Sequence, residues 1–117
     1  MHPNPEAPVI KSDPLYRLLR EGKIDAFNAA LARGQKCDLT RSDLRGLDLR
    51  GMAADALDFS GCYLRQADLR GLNLSTCRLE GASIHAAKIA GVYFPLELSP
   101  EEITLSLLHG TRMRYSR

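Results

Sequence analysis

A large apolar residue recurs at every fifth position through the middle of the chain. Eleven of the twelve members of this series are leucine, isoleucine or phenylalanine. The members are Leu39, Leu44, Leu49, Ala54, Phe59, Leu64, Leu69, Leu74, Leu79, Ile84, Ile89 and Phe94. Because an α-helix repeats every ~3.6 residues and a strand every ~2, a period of five excludes both a long helix and a long strand.

A second column of mostly small or apolar side chains stands two positions before each large one. Its members are Cys37, Ser42, Leu47, Met52, Leu57, Cys62, Ala67, Leu72, Cys77, Ala82, Ala87 and Val92. A polar residue usually lies between the two columns, and glycine often closes the unit. Strand side chains alternate between faces, so each unit predicts a three-residue extended piece, in–out–in, followed by a two-residue turn. Four such sides close a square, and successive squares stack into a solenoid.

The individual units carry a resemblance to a known family. The segments 42–46 (SDLRG), 47–51 (LDLRG) and 67–71 (ADLRG) resemble the A(D/N)LXX consensus of pentapeptide-repeat proteins. The resemblance implies a mainly β fold, a right-handed quadrilateral β-helix with four pentapeptides in each coil. The twelve units of residues 37–96 then predict about three coils, a column about 14 Å tall at the strand spacing of about 4.8 Å.

The segments that flank the repeats carry helix signals. Residues 12–36 are expected to form a helical cap, beginning at Asp13-Pro14, and residues 97–117 a capping helix and a basic tail. In the second segment, Ser99-Pro100-Glu101-Glu102 has the pattern of a capping box. An open solenoid exposes unpaired backbone at its ends, so we expect these helices to cover both ends sufficiently to prevent association. Residues 1–11 are expected to be a flexible N-terminal tail or an extended strap.

The three cysteines, Cys37, Cys62 and Cys77, all belong to the inward column of small residues. Their places on the predicted coils keep them too far apart for a disulfide, and no CxxC pair indicates a zinc site. We therefore expect free thiols packed as small hydrophobic groups, with no metal and no cofactor. The odd number of cysteines and the absence of a ~20-residue apolar run favour a cytoplasmic protein.

Outward-facing residues supply the candidate binding surface. Four arginines, Arg45, Arg50, Arg65 and Arg70, meet where two neighbouring faces join, and we call them the arginine corner. Asp43, Asp48 and Asp68 stand beside them. Two interpretations remain open: the charges form a solvated lattice that neutralises itself, or they form a recognition patch for a partner. Further candidates for partner binding are His85 on the ladder of Arg45 and Arg65, Tyr93 on the least charged face, and Arg112 and Arg114 in the C-terminal tail.

The pattern favours a non-enzymatic protein–protein interaction module that presents rigid flat faces to a partner of unknown identity. Neither a nucleophile with its base nor a nucleotide-binding motif is evident in the sequence. We expect a monomer or a weak homodimer.

Two alternatives remain. The family resemblance raises a DNA mimic that modulates the topoisomerase DNA gyrase, which requires a long acidic rod. Residues 37–96 instead carry seven acidic and seven basic residues. The other alternative is direct binding of nucleic acid or an anionic surface through the arginine corner and the C-terminal tail.

Overall fold

The computed structural model describes residues 9–116 of the chain. Three helices lie in this range: α1 is Pro14–Arg20, α2 is Ile24–Ala32 and α3 is Pro100–His109. The expectation for the N-terminal tail falls largely on residues 1–8, which lie outside the described residues; of the rest, Val9 is described below.

Between α2 and α3 the backbone winds as a β-helix of short parallel bridges. Bridged partners are twenty residues apart, as in the ladder that runs from Asp43 to Tyr63 and on to Ser83. Within it, the Tyr63 amide donates to the Ser42 carbonyl at 3.0 Å, and the Leu64 amide donates to the Ser83 carbonyl at 2.8 Å. Each bridge in the described residues is a single isolated β-bridge, because an extended side of three residues is too short to form a longer strand.

The five-residue series fills the interior of the β-helix. Its first ten members, from Leu39 to Ile84, are each at most 5% exposed. The side chains from Leu49 to Leu79 leave no room between them for a water molecule. The predicted inward register is therefore confirmed, and the exception is the last two members, Ile89 and Phe94, which are only half-buried.

Most turns between the sides keep one backbone geometry whether or not glycine is present. Ten of the twelve closing residues have positive φ, all except Thr76 and Leu96, and four of the ten are not glycine, with φ between 57° and 60°. These four are Arg41, Ala56, Gln66 and Ala86. The coil itself imposes this left-handed conformation, which side chains ordinarily avoid.

α1 and α2 lie against the N-terminal end of the β-helix. α1 begins where the Asp13 carboxylate accepts the amides of Leu15 at 2.9 Å and Tyr16 at 3.0 Å. Leu15, Tyr16 and Leu19 are buried, and the Tyr16 hydroxyl donates to the Asp43 carbonyl at 2.8 Å. In α2 the buried residues are Phe27 and Ala30.

Polar groups in this region bind backbone that the first repeats leave unpaired. The side-chain amide of Asn28 donates to the Gly51 carbonyl at 3.0 Å, and its oxygen accepts the Ala53 amide at 2.7 Å. Val9 pairs by backbone with Arg41 and Asp43, each at 3.0 Å. Val9 is thus paired with the first repeat, at the end of the β-helix that α1 and α2 also contact.

α3 and the segment after it lie against the opposite end. The Ser99 hydroxyl accepts the Glu102 amide at 3.2 Å, but the Glu102 carboxylate binds Arg114 instead of returning to Ser99. The expected capping box is thus only half formed. α3 ends at Gly110, whose φ of 75° allows the chain to turn back across the β-helix.

The hydrogen bonds from this C-terminal region to the backbone of the last coil fall on only one part of that coil. Ser106 Oγ accepts the Ile84 amide at 2.9 Å, and the Leu107 carbonyl accepts the Ala86 amide at 2.9 Å. Met113, fully buried, accepts the Gly81 amide at 2.7 Å. Residues 87–94 receive no such hydrogen bond from the described residues. The hydrogen bonds from the C-terminal region therefore reach residues 79–86 and not residues 87–94.

Candidate functional site at the arginine corner

Three of the four arginines in the arginine corner are held by carboxylates. Each pair joins an aspartate to the arginine two residues later through two hydrogen bonds. In the Asp43–Arg45 pair both contacts are 2.8 Å, and in the Asp68–Arg70 pair they are 2.9 and 2.7 Å. The structure thus contains the predicted arginine–aspartate lattice.

The pairs are also linked between neighbouring coils. Arg50 binds Asp48 at 2.7 Å, and its Nε lies 3.3 Å from the carboxylate of Asp68. Asp68 therefore receives both Arg70, within its own repeat, and Arg50, from the coil before. Such bidentate contacts fix the orientation of planar guanidinium groups that would otherwise be mobile.

Arg65 differs from the other members of the arginine corner. Its side chain is exposed, and within residues 9–116 its guanidinium has no carboxylate partner. The backbone that carries it is nevertheless fixed, because the Gly46 amide donates to the Arg65 carbonyl at 2.8 Å. Among the described residues, Arg65 is thus a cation without a carboxylate partner, on a turn that a backbone hydrogen bond holds in place.

Tyr63 and Arg112 form a cation–π pair on the face that also carries Arg65. The guanidinium carbon of Arg112 lies 4.9 Å from the centre of the Tyr63 ring, and the same guanidinium donates to the Tyr63 hydroxyl. Arg112 is fixed further by donating to the Gly81 carbonyl at 3.0 Å. The C-terminal segment thus brings a second arginine to this face.

His85 does not extend the ladder of Arg45 and Arg65 into solvent as expected. The side chain is half-buried, and its Nδ1 is enclosed without a hydrogen-bond partner among residues 9–116. A side chain at Gly110 would begin 3.4 Å from His85, so the end of α3 lies directly over the imidazole. Because α3 occupies this position, only part of the His85 side chain is accessible to a partner.

The repeats themselves match a known family. Residues 58–94 fit a family model described as pentapeptide repeats, with 8 copies. The chain contains pentapeptide repeats. Its bridged ladders continue beyond the matched residues, back to Asp43. No curated protein and no solved structure matches the chain.

The remaining candidates for partner binding lie apart from the arginine corner. Tyr93 is 69% exposed and is bridged to Asn73, on another face of the β-helix. Arg114 is bound to Glu102 through both its backbone amide, at 2.8 Å, and its side chain, at 3.2 Å. The structure therefore groups Arg65 with Arg112, and leaves Tyr93 and Arg114 as separate surface features.

The cysteines of the pentapeptide repeats are free thiols. Cys62 and Cys77 are buried, and their sulfur atoms lie 2.7 Å from the Leu39 carbonyl and 2.8 Å from the Ala54 carbonyl. Burial raises the pKa of Cys62 to about 12, which keeps this thiol protonated and unreactive near neutral pH. Among residues 9–116 there is no group of three or more metal-ligating side chains, and no helix long and apolar enough to cross a membrane.

Charge pairing shifts the titration of the lattice carboxylates. The Arg70 guanidinium, hydrogen-bonded to Asp68, is the main cause that lowers the pKa of that carboxyl to about 2. Hydrogen bonds from the arginine two residues later likewise hold the pKa values of Asp43 and Asp48 below their ordinary range. All three carboxylates therefore stay ionised throughout the neutral and mildly acidic range.

We expect Arg70→Ala to raise the pKa of Asp68 toward the ordinary aspartate value of about 3.9. A carboxyl with a lowered pKa stabilises the folded state fully above about pH 4, and this contribution is lost as the pH falls toward 2. Carboxyl NMR titration of the two proteins measures the shift. Arg65→Ala removes an equal charge without a carboxylate partner, so this control should leave the Asp68 titration nearly unchanged. Equal shifts in both variants would contradict the pairing.

Sequence reasoning named Arg65 only as one of four equivalent arginines and did not name Tyr63, although a local signal distinguishes them. The three paired arginines each follow an aspartate by two residues, whereas Arg65 follows Tyr63. A carboxylate at that spacing accepts two hydrogen bonds from the guanidinium, whereas a tyrosine ring at the same spacing offers no carboxylate to accept them. By contrast, no local pattern marks Arg112 as the partner of Tyr63, because 49 residues separate them.

Proposed function

We propose that this protein is a non-enzymatic protein-interaction module that binds a protein partner through the arginine corner. Arg65 is the recognition residue, and the chemistry that suits it is an acidic side chain on the partner's surface. The Tyr63–Arg112 pair extends the contact area along the same face. The family supports the general role, since repeat solenoids of this kind present extended faces to other macromolecules.

The observation that carries the proposal is the contrast between Arg65 and its neighbours. Arg45, Arg50 and Arg70 already have their guanidinium groups occupied by aspartates, so they shape the surface and add little net charge. Arg65 stands among them with its donors unoccupied by carboxylate in residues 9–116. Because its turn is already rigid, binding through Arg65 loses little backbone entropy.

The same contrast gives less support to direct binding of nucleic acid or an anionic surface. Affinity for phosphate backbones depends on the number of cations that neutralise phosphates. An internally paired lattice supplies few such cations. A gyrase-modulating DNA mimic gains no support from the corner either, since its lattice balances positive and negative groups.

The domain arrangement belongs to the same proposal. We assign residues 37–96 to about three coils, residues 12–36 to an N-terminal cap and residues 97–117 to a C-terminal cap with its tail. Side-chain and backbone hydrogen bonds from Asn28, Val9 and Ser106 to the repeats support this division. The free thiols support a reducing compartment such as the cytoplasm.

The test is affinity capture with the full chain as wild type, as Arg65→Ala and as Arg78→Ala. Arg78 is a matched control, because it is an exposed arginine on a different face, bridged to Asp58, with no carboxylate partner in the described residues. We expect wild type and Arg78→Ala to recover the same protein partner. Arg65→Ala should recover about tenfold less, in line with loss of one charged hydrogen-bonded contact.

A photo-crosslinking residue placed at position 65 should form a covalent adduct with that partner. The same group placed at position 78 should not. Equal recovery by all three proteins would place binding outside the arginine corner, and recovery of no partner by any of them would contradict the interaction-module proposal.

A further inference from the structure

The end of the β-helix that faces α3 is covered on one side and open on the other. In the repeats below, every coil donates amides to the coil above it, as Leu69, Gly71 and Leu74 do to the carbonyls of Lys88, Ala90 and Tyr93. The corresponding donors at the end of the repeats have no coil above them. Whether each of these amides has another hydrogen-bond acceptor therefore shows which part of this end remains unpaired.

On the covered side, all four of these donors have acceptors from the C-terminal region. The Gly81 and Ala86 amides donate to the carbonyls of Met113 and Leu107, and the Ile84 amide donates to Ser106 Oγ. The Leu79 amide donates to the Tyr115 hydroxyl at 2.9 Å. The C-terminal region of the chain thus supplies hydrogen-bond acceptors for these four backbone amides of residues 79–86.

On the open side, the equivalent groups remain unpaired within residues 9–116. These are the amides of Ile89, Gly91 and Phe94 and the carbonyls of Ala87 and Val92. Two of their counterparts one coil below, the Ala67 and Leu72 carbonyls, accept hydrogen bonds at 2.9 and 3.1 Å. Residues 87–94 are thus a free β-edge with the same donors and acceptors that bind a strand elsewhere in this fold.

The side chains at this edge are incompletely buried. Ile89, Val92 and Phe94 are half-buried, whereas their counterparts Leu69, Leu72 and Leu74 are at most 5% exposed. Leu96, directly beyond the edge, is 98% exposed. A further strand with apolar side chains directed inward would complete this burial.

The charge of Lys88 indicates which residue type is favoured at one more position of the added strand. Lys88 is exposed, is bridged to Asp68 below it, and has no carboxylate partner in the described residues. A residue on the next strand would lie about 4.8 Å above Lys88. Opposite charges stabilise directly facing positions, so an acidic residue is favoured there.

We propose that the free edge of residues 87–94 binds an extended peptide segment of a partner protein, which adds one strand to the β-helix. The segment carries apolar residues above Ile89 and Phe94 and an acidic residue above Lys88. This mode of recognition is β-strand addition, in which backbone hydrogen bonds supply affinity and alternate side chains supply specificity. The edge adjoins the arginine corner, since Lys88 is bridged to Asp68. It binds through backbone amides and does not involve Arg65, so this inference is independent of the function proposed above.

A single strand fits this end better than the end of a second copy of the chain. α3 lies on residues 84–86, and a helix is about 10 Å thick, twice the strand spacing of about 4.8 Å. Flat stacking of two whole columns would therefore hold their free edges too far apart for hydrogen bonds. One extended segment can lie beside α3.

The probe is a synthetic peptide with the sequence of residues 67–74, which occupies the equivalent place one coil below. Titrated into the full-length protein, it should slow amide exchange at Ile89, Gly91 and Phe94 by about tenfold or more, measured by NMR. The covered amides of Leu79 and Gly81 should be unaffected. A peptide with serine in place of its third and eighth residues should produce no protection.

Ile89→Pro tests the backbone contact directly. Proline removes an amide that has no acceptor in the described residues, so the folded repeats lose no hydrogen bond. We expect about tenfold weaker peptide binding, whereas the matched variant Ile89→Val should bind as wild type does. If Ile89→Pro does not fold, Lys88→Glu provides the second test, because the acidic peptide residue then faces a like charge and binding should weaken.

Two results would overturn the proposal. One is peptide addition that leaves exchange at Ile89, Gly91 and Phe94 unchanged. The other is protection of the same amides that rises with protein concentration without peptide, together with a doubled molecular mass. The second result would assign the edge to a second copy of this chain.

Discussion

Leu69→Ala is expected to lower the free energy of unfolding by about 2–5 kcal/mol. Leu69 is 2% exposed and lies in the packed interior, where its counterparts Leu49 and Ile89 stand one coil before and one coil after it. The solenoid is narrow, and its stacked coils leave no room for water, so collapse around the lost side chain is limited. Chemical denaturation followed by circular dichroism measures the change.

Arg70→Ala is the matched control for this substitution. Arg70 is the next residue along the chain, but its side chain is 44% exposed and contacts a surface aspartate. Removal of an exposed ion pair should cost at most about 1 kcal/mol. Similar losses in the two variants would contradict the inward and outward assignment of the repeats.

Tyr16→Ala is expected to lower the free energy of unfolding by about 3–5 kcal/mol. Tyr16 is fully buried between α1 and the first repeats, and its hydroxyl donates to the Asp43 carbonyl. The substitution removes both the packing of the ring and a hydrogen bond to backbone at the end of the β-helix. Denaturation of the full chain is again the measurement.

Two neighbouring variants separate packing from hydrogen bonding at this position. Tyr16→Phe keeps the ring and should cost only about 1 kcal/mol, because Arg20 still donates to the Asp43 carbonyl at 3.2 Å. Arg17→Ala alters an exposed residue of the same helix and should change stability by less than about 0.5 kcal/mol. If Tyr16→Ala behaved like Arg17→Ala, α1 would not be part of the folded unit.

Much of this structure could be predicted from the sequence because it depends on local spacing. The five-residue period assigns Leu69 to the interior and Arg70 to the surface, and burial confirms both. The signals at Asp13 and Gly110 mark where α1 begins and α3 ends, as the structure has them. The pairing of Asp68 with Arg70 is equally local, since two residues of a turn fix the distance.

The tertiary structure alone decided the features that join distant segments. The Asn28 amide reaches the backbone of Gly51 and Ala53, and Arg112 reaches Tyr63, across separations that no repeat pattern encodes. The position of α3 likewise determines that residues 79–86 are covered and residues 87–94 are not. A periodic sequence specifies what each repeat contributes to the coil, but the coil's ends are completed by non-periodic segments, and their docking depends on packing in three dimensions.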